Sequence, residues 1–242
     1  MNDSWLIWQL ADAAFPAGGF AHSAGIEAAA KWGELCDARG LEAFVRDSLT
    51  QTAHAQIPLL LAARNGTARL AAIDTYCHAF INNHVANRAS VAQGKAFLIS
   101  AGSAFALPLC EQLREQIRSA KMHGHFVVVF GAVAAPLEID AGQATRLFLY
   151  IALRGMIASG IRLNLVGPLE AQAMQYRLRT LAESLAAGCR CGKGVRHHLP
   201  ERPEASFAQM VPDTLSTPAV TAPLIELFQA TQDRLYSRLF QS

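Results

Sequence analysis

The chain has 242 residues, 52% hydrophobic and 17% charged, with a formal charge of +2. That length builds one large domain or two small ones, and so little net charge gives no basic field for nucleic acid. A mean hydropathy of +0.19 is high for a soluble monomer and points to apolar surface that meets a partner. No run reaches the roughly 18 uninterrupted apolar residues of a membrane span. Five cysteines, an odd number, argue against a disulfide framework and fit a reducing, cytoplasmic compartment. Asp3 and Asp12 near the start, without a basic leader, carry no secretory signal.

The first predicted element is an apolar helical run containing Trp5, Leu6, Trp8 and Leu10. It leads into Phe15-Pro16 and Gly18-Gly19, after which Phe20, His22 and Ser23 open a second run that ends on Glu27. Proline removes a backbone donor and glycines reach backbone angles closed to other residues, so this is a tight, shaped turn between two helices. Ala96 to Leu109 and Phe126 to Leu137 read as buried helices. Phe126 to Phe130 has strand propensity, but its isolation favours a helix. Leu147, Phe148, Ile151 and Arg154 continue the helical pattern, and Gly167-Pro168 stops one helix and starts the next. Met174, Leu178, Leu181 and Leu185 then lie on one helical face.

Composition changes after Ala187. Residues 188–223 are rich in Gly, Pro, Ser and Thr, with little periodicity, and read as an irregular, mobile segment. Beyond it Leu224, Phe228, Leu235 and Leu239 share a helical face, with Thr231 in the missing place. Such a stripe docks on its own domain or on another protein. The expected fold is all-α, a single-domain bundle of roughly eight to ten helices. Its parts are a core over 1–187, the segment 188–223, and an amphipathic tail over 224–242.

The chemistry-bearing residues fit enzymes poorly. Gly188-Cys-Arg-Cys-Gly-Lys-Gly lacks the phosphate-loop spacing, and Gly194 stands where a magnesium-binding Ser or Thr is needed. Cys189, Cys191, His197 and His198 are possible nickel or zinc ligands, and a metal carrier is the alternative function, although their spacing is not a standard zinc pattern. His22 and Ser23 are sequence neighbours that diverge on a helix, so they do not form a nucleophile–base pair. His123 and His125, flanking Gly124, read as capping or core histidines. Asp12 and Glu27 read as a helix-terminal charge or a partner contact rather than an acid–base pair.

Five words in order resemble one family. Gln9 to Glu27, QLADAAFPAGGFAHSAGIE, is similar to the opening signature of the urease accessory protein F family. Asn87 to Leu98 (NRASVAQGKAFL), His125 to Val133 (HFVVVFGAV) and Arg154 to Gln172 (RGMIASGIRLNLVGPLEAQ) resemble its central words. LYSRLF at 235–240 resembles its terminal word, with Gln232-Asp233 where the family usually has His-Glu. Phe126-Val127 stands where proline is often found.

The resemblance implies an all-helical, homodimeric adaptor without catalysis or cofactor of its own. Such a protein binds urease accessory protein D/H through its C-terminal segment, recruits the GTPase accessory protein G, and through that complex serves nickel loading of apo-urease. Carried over by motif, Arg238, Leu239 and Phe240 become D/H contacts, and Tyr236 joins them as a typical interface anchor. The turn residues Pro16, Gly18, Gly19, Phe20, His22, Ser23 and Glu27, with Arg88, become the G-protein or dimer surface. Gly18, Gly19 and Phe20 also serve simply to shape and fill a helical corner.

Overall fold

In a computed structural model the described residues are 4–66, 69–190 and 218–241. They are helical, with no strand among them. The opening run forms α1 (Ser4–Ala11), and the shaped turn, closed by a short helical turn at Gly19–Ala21, leads to α2 (Ile26–Lys31). There follow α3 (Ala38–Ala55), α4 (Ile57–Asn65), α5 (Leu70–Phe80), α6 (His84–Phe105) and α7 (Pro108–Arg118). The chain continues with α8 (Phe126–Ala134), α9 (Ala141–Arg162), α10 (Pro168–Arg190) and α11 (Pro223–Thr231).

The isolated Val-rich run is helix α8, as its isolation foretold, and every residue of it is buried. It sits between α4 and α6 at the centre of the bundle. Two glycines permit this. A Cβ at Gly94 on α6 would stand 2.0 Å from the Gly124 carbonyl oxygen, and one at Gly131 on α8 would stand 2.3 Å from the Leu60 carbonyl oxygen on α4. Phe97, Phe126, Phe130 and Phe148 fill the space beside them, with ring centroids 5.4–5.8 Å apart.

Helix α9 begins with a capping box, in which Asp140 accepts from the Gln143 backbone and the Gln143 side chain accepts from Asp140 N. It packs between α3 and α10. By length and composition alone α9 is apolar enough to cross a membrane, but more than half of that window is buried inside the bundle. The stripe expected on α10 is real, with Met174 and Leu178 fully buried and Leu181 and Leu185 packed against the core. Helix α10 runs through Arg190, three residues past Ala187.

The tail docks on its own core, α11 lying against α2 and α6. Gln51 holds its start, accepting from Ala222 N at 2.7 Å and donating to Glu226 at 2.5 Å. Asn83 donates to the Glu226 carbonyl at 2.8 Å. The expected face needs correction. The helix ends at Thr231, a short turn covers Gln232–Arg234, and the chain beyond is not helical, so Leu235 and Leu239 do not continue the stripe. The face that packs is Ile225, Phe228, Thr231 and Gln232, while Leu224 is exposed. The physical reason lies 205 residues upstream, in Glu27.

Candidate functional site

Glu27 lies in the first turn of α2 and is fully buried. The residue before the helix, Gly25, has φ +88°, and a Cβ there would stand 3.0 Å from Gln229 of the tail. Glycine therefore both makes the turn and lets α11 close over it. Glu27 Oε2 accepts from Gln232 Nε2 at 2.5 Å and from Phe240 N at 3.1 Å. Its Oε1 accepts from Leu239 N at 2.5 Å, with Lys31 Nζ 3.6 Å away. A buried carboxylate needs such donors, and these backbone donors are available only because the chain leaves the helix. The tail's extended end is thus the cap on a buried charge.

Other contacts join the opening turn to this non-helical C-terminal strap, residues 235–241. Arg162 on α9 lies with its guanidinium carbon 3.8 Å from the Phe20 ring centroid and 3.9 Å from that of Phe240, and its Nη1 donates to the Phe20 carbonyl at 2.5 Å. Gln241 N donates to the Ala21 carbonyl at 2.8 Å. Lys31 donates to the Ser237 carbonyl and, at 2.9 Å, to Ser237 Oγ.

Asp233 is the second focus. Its Oδ1 accepts from Arg88 Nη2 and from Arg238 Nη1, each at 2.9 Å, and His84 Nε2 lies 3.3 Å from Oδ2. The Arg88 hydrogen bond first, with the charges of Arg88, Arg238 and His84, holds this carboxyl below the ordinary range against the effect of partial burial. Arg88, Asp233, Arg238, Leu239, Phe240 and Gln241 border an open hollow of about 690 Å³.

The structure brings eight of the candidate residues around this strap: Phe20, Glu27 and Arg88 beside the tail, with Tyr236, Arg238, Leu239 and Phe240 on it, and Gly19 in the turn that Gln241 reaches. Pro16 and Gly18 face α6 instead, through Ser100 Oγ donating to the Pro16 carbonyl at 2.8 Å and through Ala96. Gly18, at φ +75°, fits the corner-shaping role. The proposed contacts divide sharply by exposure. Tyr236 is fully exposed and Leu239 is 54% exposed, whereas Phe240 is only 3% exposed and is already used within the chain.

Burial first, then the Arg88 charge, lowers the pKa of His22. Ser23 is fully buried and its Oγ has no protein hydrogen-bond partner among the described residues. Sealed in this way, Ser23 is closed to a substrate. Asp12 accepts from Ala14 N, and Glu27 is taken up by the tail, so the two do not pair. Among the described residues no group of three His, Cys, Asp or Glu is arranged to hold a metal ion. The side chain of Cys189, and Cys191, His197 and His198 entirely, lie outside the described residues.

Arg162, Gln232 and Lys31 were not among the candidates. Arg162 was visible only as part of the RGMIASGIRLNL word, and Gln232 only as a replacement for the usual His. Nothing in the local sequence of Lys31 indicates that it reaches Ser237.

The UreF family model matches residues 35–179. The chain is 30% identical over 242 residues to urease accessory protein F of Arabidopsis thaliana, covering 98% of this chain and 92% of that protein. Against urease accessory protein F of Oryza sativa subsp. indica the identity is 29% over 240 residues, covering 98% and 84%. Against urease accessory protein UreF of Actinobacillus pleuropneumoniae it is 25% over 186 residues, covering 74% and 82%. On this evidence, with the all-helical fold, the chain belongs to the UreF family of urease accessory proteins.

Proposed function

We propose that this chain is a cytoplasmic, non-catalytic adaptor in nickel insertion into urease. Its docked tail presents Tyr236, Arg238 and Leu239 to accessory protein D/H. The opening turn, Arg88 and the strap together form a composite surface for the GTPase accessory protein G or for a second copy of the chain in a homodimer. Apo-urease is reached through that complex. One observation carries the reading: buried Glu27 spends its hydrogen-bonding capacity on holding an otherwise exposed segment in one shape. Phe240 and Arg162 then act from inside, fixing the presenting surface rather than touching the partner. Preorganising a terminal segment lowers its ordering cost when a partner binds.

The test is light scattering after size exclusion on the full chain and on residues 1–222, each alone and with the D/H protein. The full chain forms the heteromeric complex and the shortened chain does not. A shortened chain that binds D/H equally well removes the tail from the interface. The samples without D/H report the homodimer.

A further inference from the structure

Away from the strap, three histidines meet where α5 and α6 abut the start of α8. His125, the residue just before α8, is fully buried. Its Nε2 lies 3.1 Å from His78 Nδ1 on α5, and its Nδ1 lies 3.1 Å from Ser90 Oγ on α6. The His78 ring stacks on His123 with centroids 3.6 Å apart and planes 7° from parallel. Asp74 is buried beneath them and accepts from the backbone N–H groups of His123, Gly124 and His125. Its oxygens are thereby committed to holding the loop.

The three rings are not arranged to hold a metal ion together. A ligand imidazole holds its metal in the ring plane, and two parallel rings 3.6 Å apart cannot share one in-plane ion. The arrangement is well suited to a single proton. One hydrogen fits between His78 Nδ1 and His125 Nε2, whichever ring carries it; two would collide at 3.1 Å. One positive charge fits on the His78–His123 stack, and two would repel at van der Waals distance.

We propose that His78, His123 and His125 form a proton-sensitive joint that admits one proton with its geometry intact and opens on the second, loosening the seat of the C-terminal tail. The link to the tail is short. Asn87 donates to the His78 and Ile81 carbonyls at 3.1 and 3.0 Å, tying the end of α5 to α6. Asn83, in the connection between them, donates to Glu226 of α11. The same α6 turn carries His84 and Arg88, which line a hollow of about 370 Å³ with His78 and which hold Asp233.

The titratable and charged groups facing the joint are few. From α5 come Asp74 and the Cys77 thiol, which burial and then the Asp74 charge keep protonated. From α6 come His84 and Arg88 across the hollow. From α7 it is apolar Ile117 that meets Gly124. Arg64, the titratable side chain of α4, donates to the Ile139 carbonyl at 2.8 Å. Burial pushes the His125 pKa down to about 4, Asp74 opposing and His78 and His123 adding to the fall.

The experiment is an NMR titration of the full chain from pH 7.5 to 5, following the ring resonances of the three histidines and the backbone amides of Leu239 and Phe240. In the wild type the tail amides hold through the first ring transition of the three histidines and move with the second. His78→Gln removes that step from the tail amides, whereas His84→Gln, which deletes only the imidazole beside Asp233, leaves it. If His78→Gln does not fold, His123→Gln serves: it removes the second charge of the stack, so fewer protons drive opening and the tail transition moves to lower pH or disappears. Tail amides that do not respond to pH in the wild type, or respond identically in the His78 or His123 variant, overturn the joint.

Discussion

Replacing Glu27 by alanine removes the acceptor for Gln232 Nε2, Leu239 N and Phe240 N in one step. A buried donor left unsatisfied costs about 1–3 kcal/mol, so three left in place would cost several. The chain has a cheaper escape. Residues 235–241 leave the surface and hydrate their amides, giving up the Phe240 contact with Arg162, the Gln241–Ala21 hydrogen bond and the Lys31–Ser237 contacts. The loss is therefore local, and the global melting temperature falls less than three buried donors would require. Hydrogen exchange read by mass spectrometry resolves the two cases. The C-terminal peptide of Glu27→Ala loses at least tenfold in protection, a difference of about 1.4 kcal/mol, while the peptides of α8 and α9 keep theirs. Glu27→Gln, which keeps an acceptor oxygen but not the charge, falls between. Unchanged protection of the C-terminal peptide in Glu27→Ala would refute the claim that this carboxylate holds the strap.

Gly94→Ala places a methyl group 2.0 Å from the Gly124 carbonyl oxygen and drives α6 from α8; a cost of about 3 kcal/mol or more is expected in chemical denaturation, whereas Gly155→Ala, inside α9 where the added Cβ meets nothing within 4 Å, leaves stability unchanged or raises it by up to about 1 kcal/mol. Tyr236→Ala leaves the melting temperature unchanged, since the ring is fully exposed, but weakens D/H binding by tenfold or more in calorimetry; Phe240→Ala loosens the strap by exchange as well. Acidification destabilises the fold through His125. Its folded pKa of about 4 lies below the ordinary 6.5, so its neutral form is the stabilised one: the contribution is complete above about pH 6.5 and is lost as pH falls toward 4. The shift corresponds to about 3 kcal/mol in total, and His22 acts in the same direction. Denaturant titrations at pH 7 and pH 5 read this slope, which flattens in His125→Gln.

Local pattern carried most of the fold. The buried stripe on α10, the proline-started helix after Gly167 and the helical state of Phe126 to Ala134 all follow from apolar spacing and turn chemistry within a few residues. Placing His125 as a core or capping histidine followed from its position before an apolar run, and it is both buried and the residue preceding α8. The tail departs from its apolar pattern for the opposite reason. Leu224, Phe228, Leu235 and Leu239 have the right period, but periodicity cannot see a carboxylate at residue 27 competing for the amides of residues 239 and 240. The contributions of Arg162 and Lys31 are long-range in the same sense, each joining residues more than 70 positions away in the chain. The candidate set found both sides of the strap through family words, but not that they face each other.

The most direct measurement is activation of purified apo-urease by nickel, with accessory proteins D/H and G and GTP supplied, comparing the full chain, residues 1–222 and no added chain. If the tail is the docking element of an adaptor, only the full chain supports activation and the shortened chain matches the blank. Activation by residues 1–222 at the rate of the full chain would contradict it.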